Sequence, residues 1–182
     1  MLRKLFVVFL LAGLVTLAGA KQRKPLTVVP SVDLSRYAGK WYEIARLPNR
    51  FQRNCVGEVT AEYTLVANHQ IKVINECRRQ NGQRDRAEGQ ARLANKNGPN
   101  SQLEVRFAPA WLSWLPAVWG DYWIIALADD YSYAVVGTPD RQYLWVLART
   151  PNLAEAIYHK LLQQTATQGF AVAQLVKTRQ SN

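Results

Sequence analysis

Apolar and polar residues alternate with a period of two along most of this chain, and turn residues interrupt them at short intervals. From Glu58 to Leu65, Val59, Ala61, Tyr63 and Leu65 share one face, and Glu58, Thr60, Glu62 and Thr64 share the other. After the turn dipeptide Asn68-His69, Ile71, Val73, Asn75 and Cys77 oppose Lys72, Ile74, Glu76 and Arg78. Asn81-Gly82 is a hairpin signal. Beyond it Ala87, Gly89, Ala91 and Leu93 oppose Arg86, Glu88, Gln90 and Arg92, and then Leu103, Val105 and Phe107 oppose Gln102, Glu104 and Arg106. Strands of this kind have one wet face and one apolar face, and many of them in succession predict an antiparallel barrel or sandwich.

The later runs differ. Tyr122 to Leu127, Tyr133 to Val136 and Tyr143 to Ala148 are apolar on both faces, so something must cover the second one. The one helix that the pattern predicts, from Asn152 to about Gln168, is the candidate cover. Asn152 followed by Glu155 resembles a capping box, Pro151 precedes it, and Gly169 follows as a stop. Ala154, Ile157, Leu161 and Thr165 form an apolar stripe that Tyr158 and Leu162 widen. The expected fold is all-β: an eight-stranded antiparallel up-and-down barrel with one C-terminal α-helix packed outside. A two-sheet sandwich is the alternative. The small residues Ala61, Ala87, Gly89 and Ala91 on the apolar face favour a barrel that keeps a cavity.

The beginning of the chain reads as an export signal. Arg3 and Lys4 precede the apolar run from Leu5 to Leu17, and Ala18-Gly19-Ala20 is a cleavage pattern. The run is short for a membrane span, which needs about 20 residues. Ala20 stands where a lipoprotein signal would carry its lipidated Cys, so no lipid anchor is expected at that position. Residues 21–30 read as a flexible basic arm bounded by prolines, and residues 31–182 as the folded domain. The chain has 23 Lys and Arg against 13 Asp and Glu; the signal takes two of the bases, which leaves the exported part at +8. For an exported protein such a charge points to anionic lipid head groups rather than nucleic acid. Two cysteines in an oxidising compartment favour one disulfide.

Three stretches carry a family resemblance. Asp33 to Arg46, with Gly39-Lys40-Trp41-Tyr42 at its centre, resembles the first conserved region of the lipocalins. Gly137 to Tyr143 resembles the second, and Leu144 to Pro151 the third. The nearest likeness is to the bacterial outer-membrane lipocalins related to apolipoprotein D, over about residues 30 to 176. The resemblance implies structural roles at the closed end of the barrel for Gly39, Trp41 and Arg149. Trp41 would plug that end and Arg149 would stack across it, as a guanidinium does well on an aromatic face. Counting strand directions from Trp41 puts the loops 48–56, 78–85, 108–119 and 137–142 at the mouth.

Cys55 and Cys77 then both fall at the mouth, where a Cys55–Cys77 disulfide would pin the first loop. Register around Asn68-His69 leaves them a few residues out of step, so the second strand must bend. The mouth also gathers Trp111, Leu112, Trp114, Leu115 and Trp119 in one loop, and Arg50, Arg53, Arg78, Arg79, Arg84 and Arg141 in the others. The tryptophan loop either folds inward as a plug or presents an interfacial patch to an anionic membrane surface.

These readings point to a non-catalytic carrier that binds, stores or transports fatty acids or lysophospholipids in the cell envelope, in the periplasm or at the outer membrane. By strand parity the expected lining is Ala61, Tyr63, Val73, Asn75, Ala87, Gly89, Val105 and Phe107. The resemblance adds Tyr122, Ile124, Val136 and Trp145. A head group would sit near Arg50, Arg53, Arg78, Arg79, Trp111 and Trp114. The alternative is an enzyme acting on a lipophilic substrate through an inward Cys77. It lacks a base, because His69 lies in a closed-end turn and His159 on the helix. Two histidines and no clustered acids leave no metal or haem ligand set, so no cofactor is expected, and no nucleic-acid partner. The pattern leaves monomer or homodimer open. Glu43, the one acid of the first strand, needs a partner if it faces inward; Tyr63, Tyr122 and an arginine are the candidates.

Overall fold

The computed structural model describes residues 24–66 and 70–181. The signal segment and the Asn68-His69 turn, with the histidine it carries, lie outside the described residues. Eight strands follow the short helix α1 (Leu34–Tyr37): β1 (Gly39–Arg46), β2 (Cys55–Val66), β3 (Gln70–Arg79), β4 (Arg84–Leu93), β5 (Gln102–Arg106), β6 (Gly120–Leu127), β7 (Tyr133–Gly137) and β8 (Leu144–Ala148). Each pairs antiparallel with its neighbour, and β1 pairs with both β8 and β2, which closes the ring. A closed ring excludes the sandwich. Helix α2 (Glu155–Thr167) and a two-residue strand β9 (Val176–Lys177) complete the described chain.

The core has two layers, separated by the wall of the barrel. The inner cluster holds Trp41, Tyr63, Ile71, Val73, Ala91, Leu103, Ile124, Ala134, Val136 and Leu147. The outer cluster lies under α2 and joins Ile125, Val135, Leu144 and Val146 to Tyr158, Leu161 and Phe170. The late strands are apolar on both faces for this reason: one face lines the barrel and the other receives the helix.

Three features differ from the sequence expectations. The stretch expected to be a mobile arm is packed from residue 24 on. Leu26 is buried in the outer cluster, and the Val29 amide donates to the Ile124 carbonyl at 3.0 Å. Alternation of Leu26, Val28 and the prolines was too short to register as an element. Second, α1 was not foreseen, because one turn is too short for a periodic stripe; its signal is Asp33, whose carboxylate accepts from the Ser35 and Arg36 amides. Third, α2 begins later than expected. Ala154 occupies the N-cap position with no side-chain cap, and the Asn152 carbonyl instead accepts the Thr150 hydroxyl at 2.7 Å.

The seam between β1 and β2 is incomplete. The two strands pair only over Gly39–Tyr42 and Thr60–Tyr63, and a bulge between Glu43 and Ala45 then turns β1 towards β8. The segment after α2 fills the gap. Ala45 and Arg46 pair with Lys177 and Val176, and the Thr178 amide donates to the Ile44 carbonyl at 2.9 Å. On the other side the Glu58 amide donates to the Arg179 carbonyl at 2.7 Å. The Gln180 side chain spans both edges, donating to the carbonyls of Glu43 at 2.7 Å and Val59 at 2.9 Å. Gly57 is required where this strap crosses β2, since a Cβ there would lie 2.7 Å from the Arg179 carbonyl oxygen.

Candidate ligand-binding site

The closed end is built on the first resembling stretch. Trp41 is fully buried, and its indole N–H donates to the Tyr37 carbonyl at 2.8 Å. The Arg149 guanidinium lies 3.9 Å from the Trp41 ring centroid. Its four N–H contacts reach the carbonyls of Lys40 at 3.0 Å, Arg36 at 2.6 Å, Tyr37 at 3.1 Å and Tyr131 at 3.4 Å. Arg149 therefore knots α1 to β1 from beneath. Gly39 has φ +92°, and a Cβ there would come 3.4 Å from Arg149 Nη1, so glycine serves both the turn and the approach.

Above that floor the inner face of the wall is apolar. Residues directly opposite in an antiparallel ladder share a face. Ala61 pairs with Asn75 and Asn75 with Ala87, while Val73 pairs with Gly89 and Trp145 with Val136. Asn75, Ala87 and Gly89 thus share the face of Ala61 and Val73, which belong to the inner cluster together with Val105, Tyr122, Ile124, Val136 and Trp145. Phe107 lies next to Gly89, where a Cβ would meet its ring at 2.7 Å. Exposure on this face is uneven: Trp41, Val73, Ile124 and Val136 are buried; Ala61, Asn75, Gly89, Val105, Tyr122 and Trp145 are intermediate; Ala87 and Phe107 are exposed. Phe107 is accordingly a rim residue more than a lining one.

Three tyrosines meet inside this face. The hydroxyl of Tyr122 lies 2.8 Å from that of Tyr37 and 2.7 Å from that of Tyr63. Burial raises all three pKa values, Tyr63 to about 12 and the others well above the usual tyrosine range, with Tyr–Tyr repulsion adding at Tyr37 and Tyr122. Tyr37 was not among the expected lining residues, since its place on α1 was not legible.

At the mouth Glu43 finds its partners. Its carboxylate, 3% exposed, accepts from Arg46 Nη1 at 2.9 Å, from Gln52 Nε2 at 2.6 Å and from the Thr178 hydroxyl. Of the candidates considered, the arginine is right and the tyrosines are not. Gln52 also accepts from the Trp145 indole at 3.0 Å and from Asn49 at 2.8 Å. The mouth loop before β2 is thereby tied to the barrel wall through one carboxylate, and Phe51, Tyr143 and Trp145 continue inward as an aromatic run with centroids 5.5 and 5.9 Å apart.

Cys55 and Cys77 form a disulfide. The expected bend in β2 consists of two register shifts, between Cys55 and Gly57 and between Gly57 and Thr60. The thiol that the enzymatic alternative requires is consumed by this bond, and among the described residues no free cysteine occurs. His159 lies on α2 beside Glu155, at 3.6 Å.

The basic rim is smaller than expected. Arg78 and Arg84 both pair with Glu58, at 2.8 and 3.1 Å, and Arg79 pairs with Asp85 at 2.6 Å. Arg141 braces three carbonyls, those of Lys24, Pro139 and Gln168. Among the described residues Arg50 and Arg53 are the expected arginines that neither a carboxylate nor a carbonyl holds; the Arg50 guanidinium lies 5.0 Å from the Phe51 ring centroid. The tryptophan loop is not a plug. Trp119 lies on the outer wall, 3.8 Å from Arg92 and 5.2 Å from Arg106, and donates to the Ser113 carbonyl at 2.8 Å. Trp111 and Trp114 are both 74% exposed, and Phe51 in the neighbouring loop is 64% exposed.

Known proteins share this plan. Residues 32–180 match the family model of the lipocalin-like domain. Temperature-induced lipocalin-1 of Arabidopsis thaliana is 38% identical over 162 residues, covering 88% of this chain and 86% of the relative. The outer membrane lipoprotein Blc of Citrobacter freundii is 36% identical over 160 residues, covering 86% and 84%. Rat (Rattus norvegicus) apolipoprotein D is 33% identical over 164 residues, covering 85% and 80%. Among solved structures, insecticyanin from the tobacco hornworm Manduca sexta superposes with a TM-score of 0.68 at 21% identity, covering 87% of this chain and 86% of that one. With a closed eight-stranded ring, an outer helix and a sealed floor, this chain belongs to the lipocalins, a family of binders of small hydrophobic molecules.

Proposed function

We propose that this lipocalin is a non-catalytic carrier of fatty acids or lysophospholipids in the cell envelope. The observation that carries the reading is the inner face itself: an aromatic floor sealed by Trp41, and an apolar wall on which Ala61, Val105, Tyr122 and Trp145 are only partly buried and Phe107 at the rim is exposed. An acyl chain entering such a well gains about 0.8 kcal/mol per buried CH₂. Ordering and desolvation offset most of this gain, which leaves affinities on the order of micromolar. The head group would remain at the rim near Arg50 and Arg53. The Blc relatives are named outer membrane lipoproteins, which supports an envelope location. The position of Ala20 supports export without a lipid anchor there.

Native mass spectrometry of the purified protein, followed by lipid extraction, tests this reading. Co-purified fatty acids or lysolipids are the expected result. A ligand-free protein that also fails to bind fluorescent fatty acids refutes it.

The rim supports a second element of the same reading, docking on an anionic membrane surface. Phe51, Val56, Trp111 and Trp114 are exposed apolar groups at one end of the barrel, with Arg50 and Arg53 among them. Indole rings suit the head-group boundary, and guanidinium suits phosphate.

A further inference from the structure

The tyrosine trio has an unbalanced hydrogen-bond account. Each of Tyr37, Tyr63 and Tyr122 brings one O–H donor, and the three share two contacts, at 2.8 and 2.7 Å. Each contact uses one donor. Whichever way the protons run, one O–H is left without an acceptor among the described residues. Tyr37 and Tyr63 are almost wholly buried, and Tyr122 belongs to the inner cluster yet retains some exposure. Phenylalanine at these positions would fill the floor with no donor to satisfy, and a buried donor without a partner is costly.

We propose that this trio is a binding subsite for a neutral oxygen, a hydroxyl or keto group, carried at the buried end of the lipid. The inference rests on the carrier reading and adds to it the chemistry of the ligand's deep end. The ligand's oxygen accepts the spare O–H, and a ligand hydroxyl can also donate to a tyrosine oxygen. A carboxylate is excluded from this position. The burial that holds the three tyrosines in their neutral form disfavours any anion beside them. The nearby cation, Arg149, lies against Trp41 and is committed to backbone carbonyls. A fatty acid with an oxygen at its far end would therefore sit with its acid at the rim and its hydroxyl or ketone on the floor.

The test is a length series of saturated fatty acids and their ω-hydroxy counterparts, measured by displacement of a fluorescent fatty acid from the full exported chain. Burying a hydroxyl without a partner weakens binding by about ten-fold or more. At the length that reaches the floor, the ω-hydroxy acid is expected to bind at least as tightly as its parent. In Tyr122→Phe the ratio of the two affinities should then fall about ten-fold, and Tyr63→Phe should shift it in the same direction. If the parent acids bind but every ω-hydroxy acid is about ten-fold weaker at every length, the subsite is refuted and the carrier reading stands. If no parent acid binds at any length, the carrier reading fails and the subsite fails with it. The comparison of ligands on the unmodified protein decides the matter even where a variant does not fold.

Discussion

Removing the Glu43 carboxylate should destabilise this protein as much as deleting a large core side chain. Glu43→Ala removes at once the carboxylate that accepts from three donors, the Arg46 guanidinium, the Gln52 amide and the Thr178 hydroxyl, and leaves Arg46 Nη1 with only the Thr178 hydroxyl oxygen at 3.2 Å. Breaking a buried ion pair by removing one partner costs about 3–5 kcal/mol, because the other charge stays buried. Arg46 is 14% exposed, so water reaches part of it, and the lower end, about 3 kcal/mol, is the better expectation. With a urea dependence of about 2 kcal/mol/M, the unfolding midpoint should fall by about 1.5 M. The control is the double variant Glu43→Leu with Arg46→Leu, which removes both charges together. Its midpoint should lie within about 0.5 M of the parent, since replacing a whole buried pair by apolar groups is often neutral. Equilibrium urea unfolding with the disulfide intact measures both. A loss below about 0.3 M for Glu43→Ala, or a double variant as unstable as the single, would refute the reasoning.

Three further outcomes are expected. Replacing both cysteines by serine frees a loop closed over a separation of 22 residues and should cost about 3 kcal/mol, or roughly 10 °C in the calorimetric midpoint; a midpoint within about 2 °C of the parent would contradict this. Folding raises the tyrosine pKa values, so the contribution of the trio is fully present below pH of about 10, where unfolded tyrosines begin to ionise. It is lost as pH rises towards about 12, the folded value at Tyr63. An ultraviolet titration should then show three phenols ionising only with unfolding, and their ionisation in the native protein near pH of about 10 would refute the burial argument. Trp111→Ser with Trp114→Ser should weaken binding to vesicles containing anionic lipid by about ten-fold while leaving the melting curve unchanged; equal binding would reject docking through the rim.

The strands were readable because parity is a local property. One apolar and one polar face follow from every second residue, and a second apolar face on the late strands announces a cover. The disulfide was readable because both cysteines fall at the same end once strand directions are counted. What escaped the sequence depends on contacts between distant segments or on single turns. Tyr37 joins the interior only because one helical turn, capped by Asp33, lifts it into the floor. Arg78, Arg79 and Arg84 looked like a basic rim until Glu58 and Asp85 were found beside them. Glu43 could be marked as needing a partner, but Gln52 and Thr178 reach it through a loop and a late segment with no pattern to place them.

The strap of residues 176–181 has a consequence for how the chain can fold. A polypeptide emerging amino end first presents β1 to β8 before any of these residues, so the ring can close at its lower seam while the upper seam stays split. Until the strap arrives, the upper seam is a slit between the edge of β1 beyond Tyr42 and the edge of β2 before Thr60, which do not pair with each other. Seating of residues 176–181 turns that slit into wall. The order of the sequence thus leaves the upper seam to be completed last, by residues far along the chain from both edges that they join.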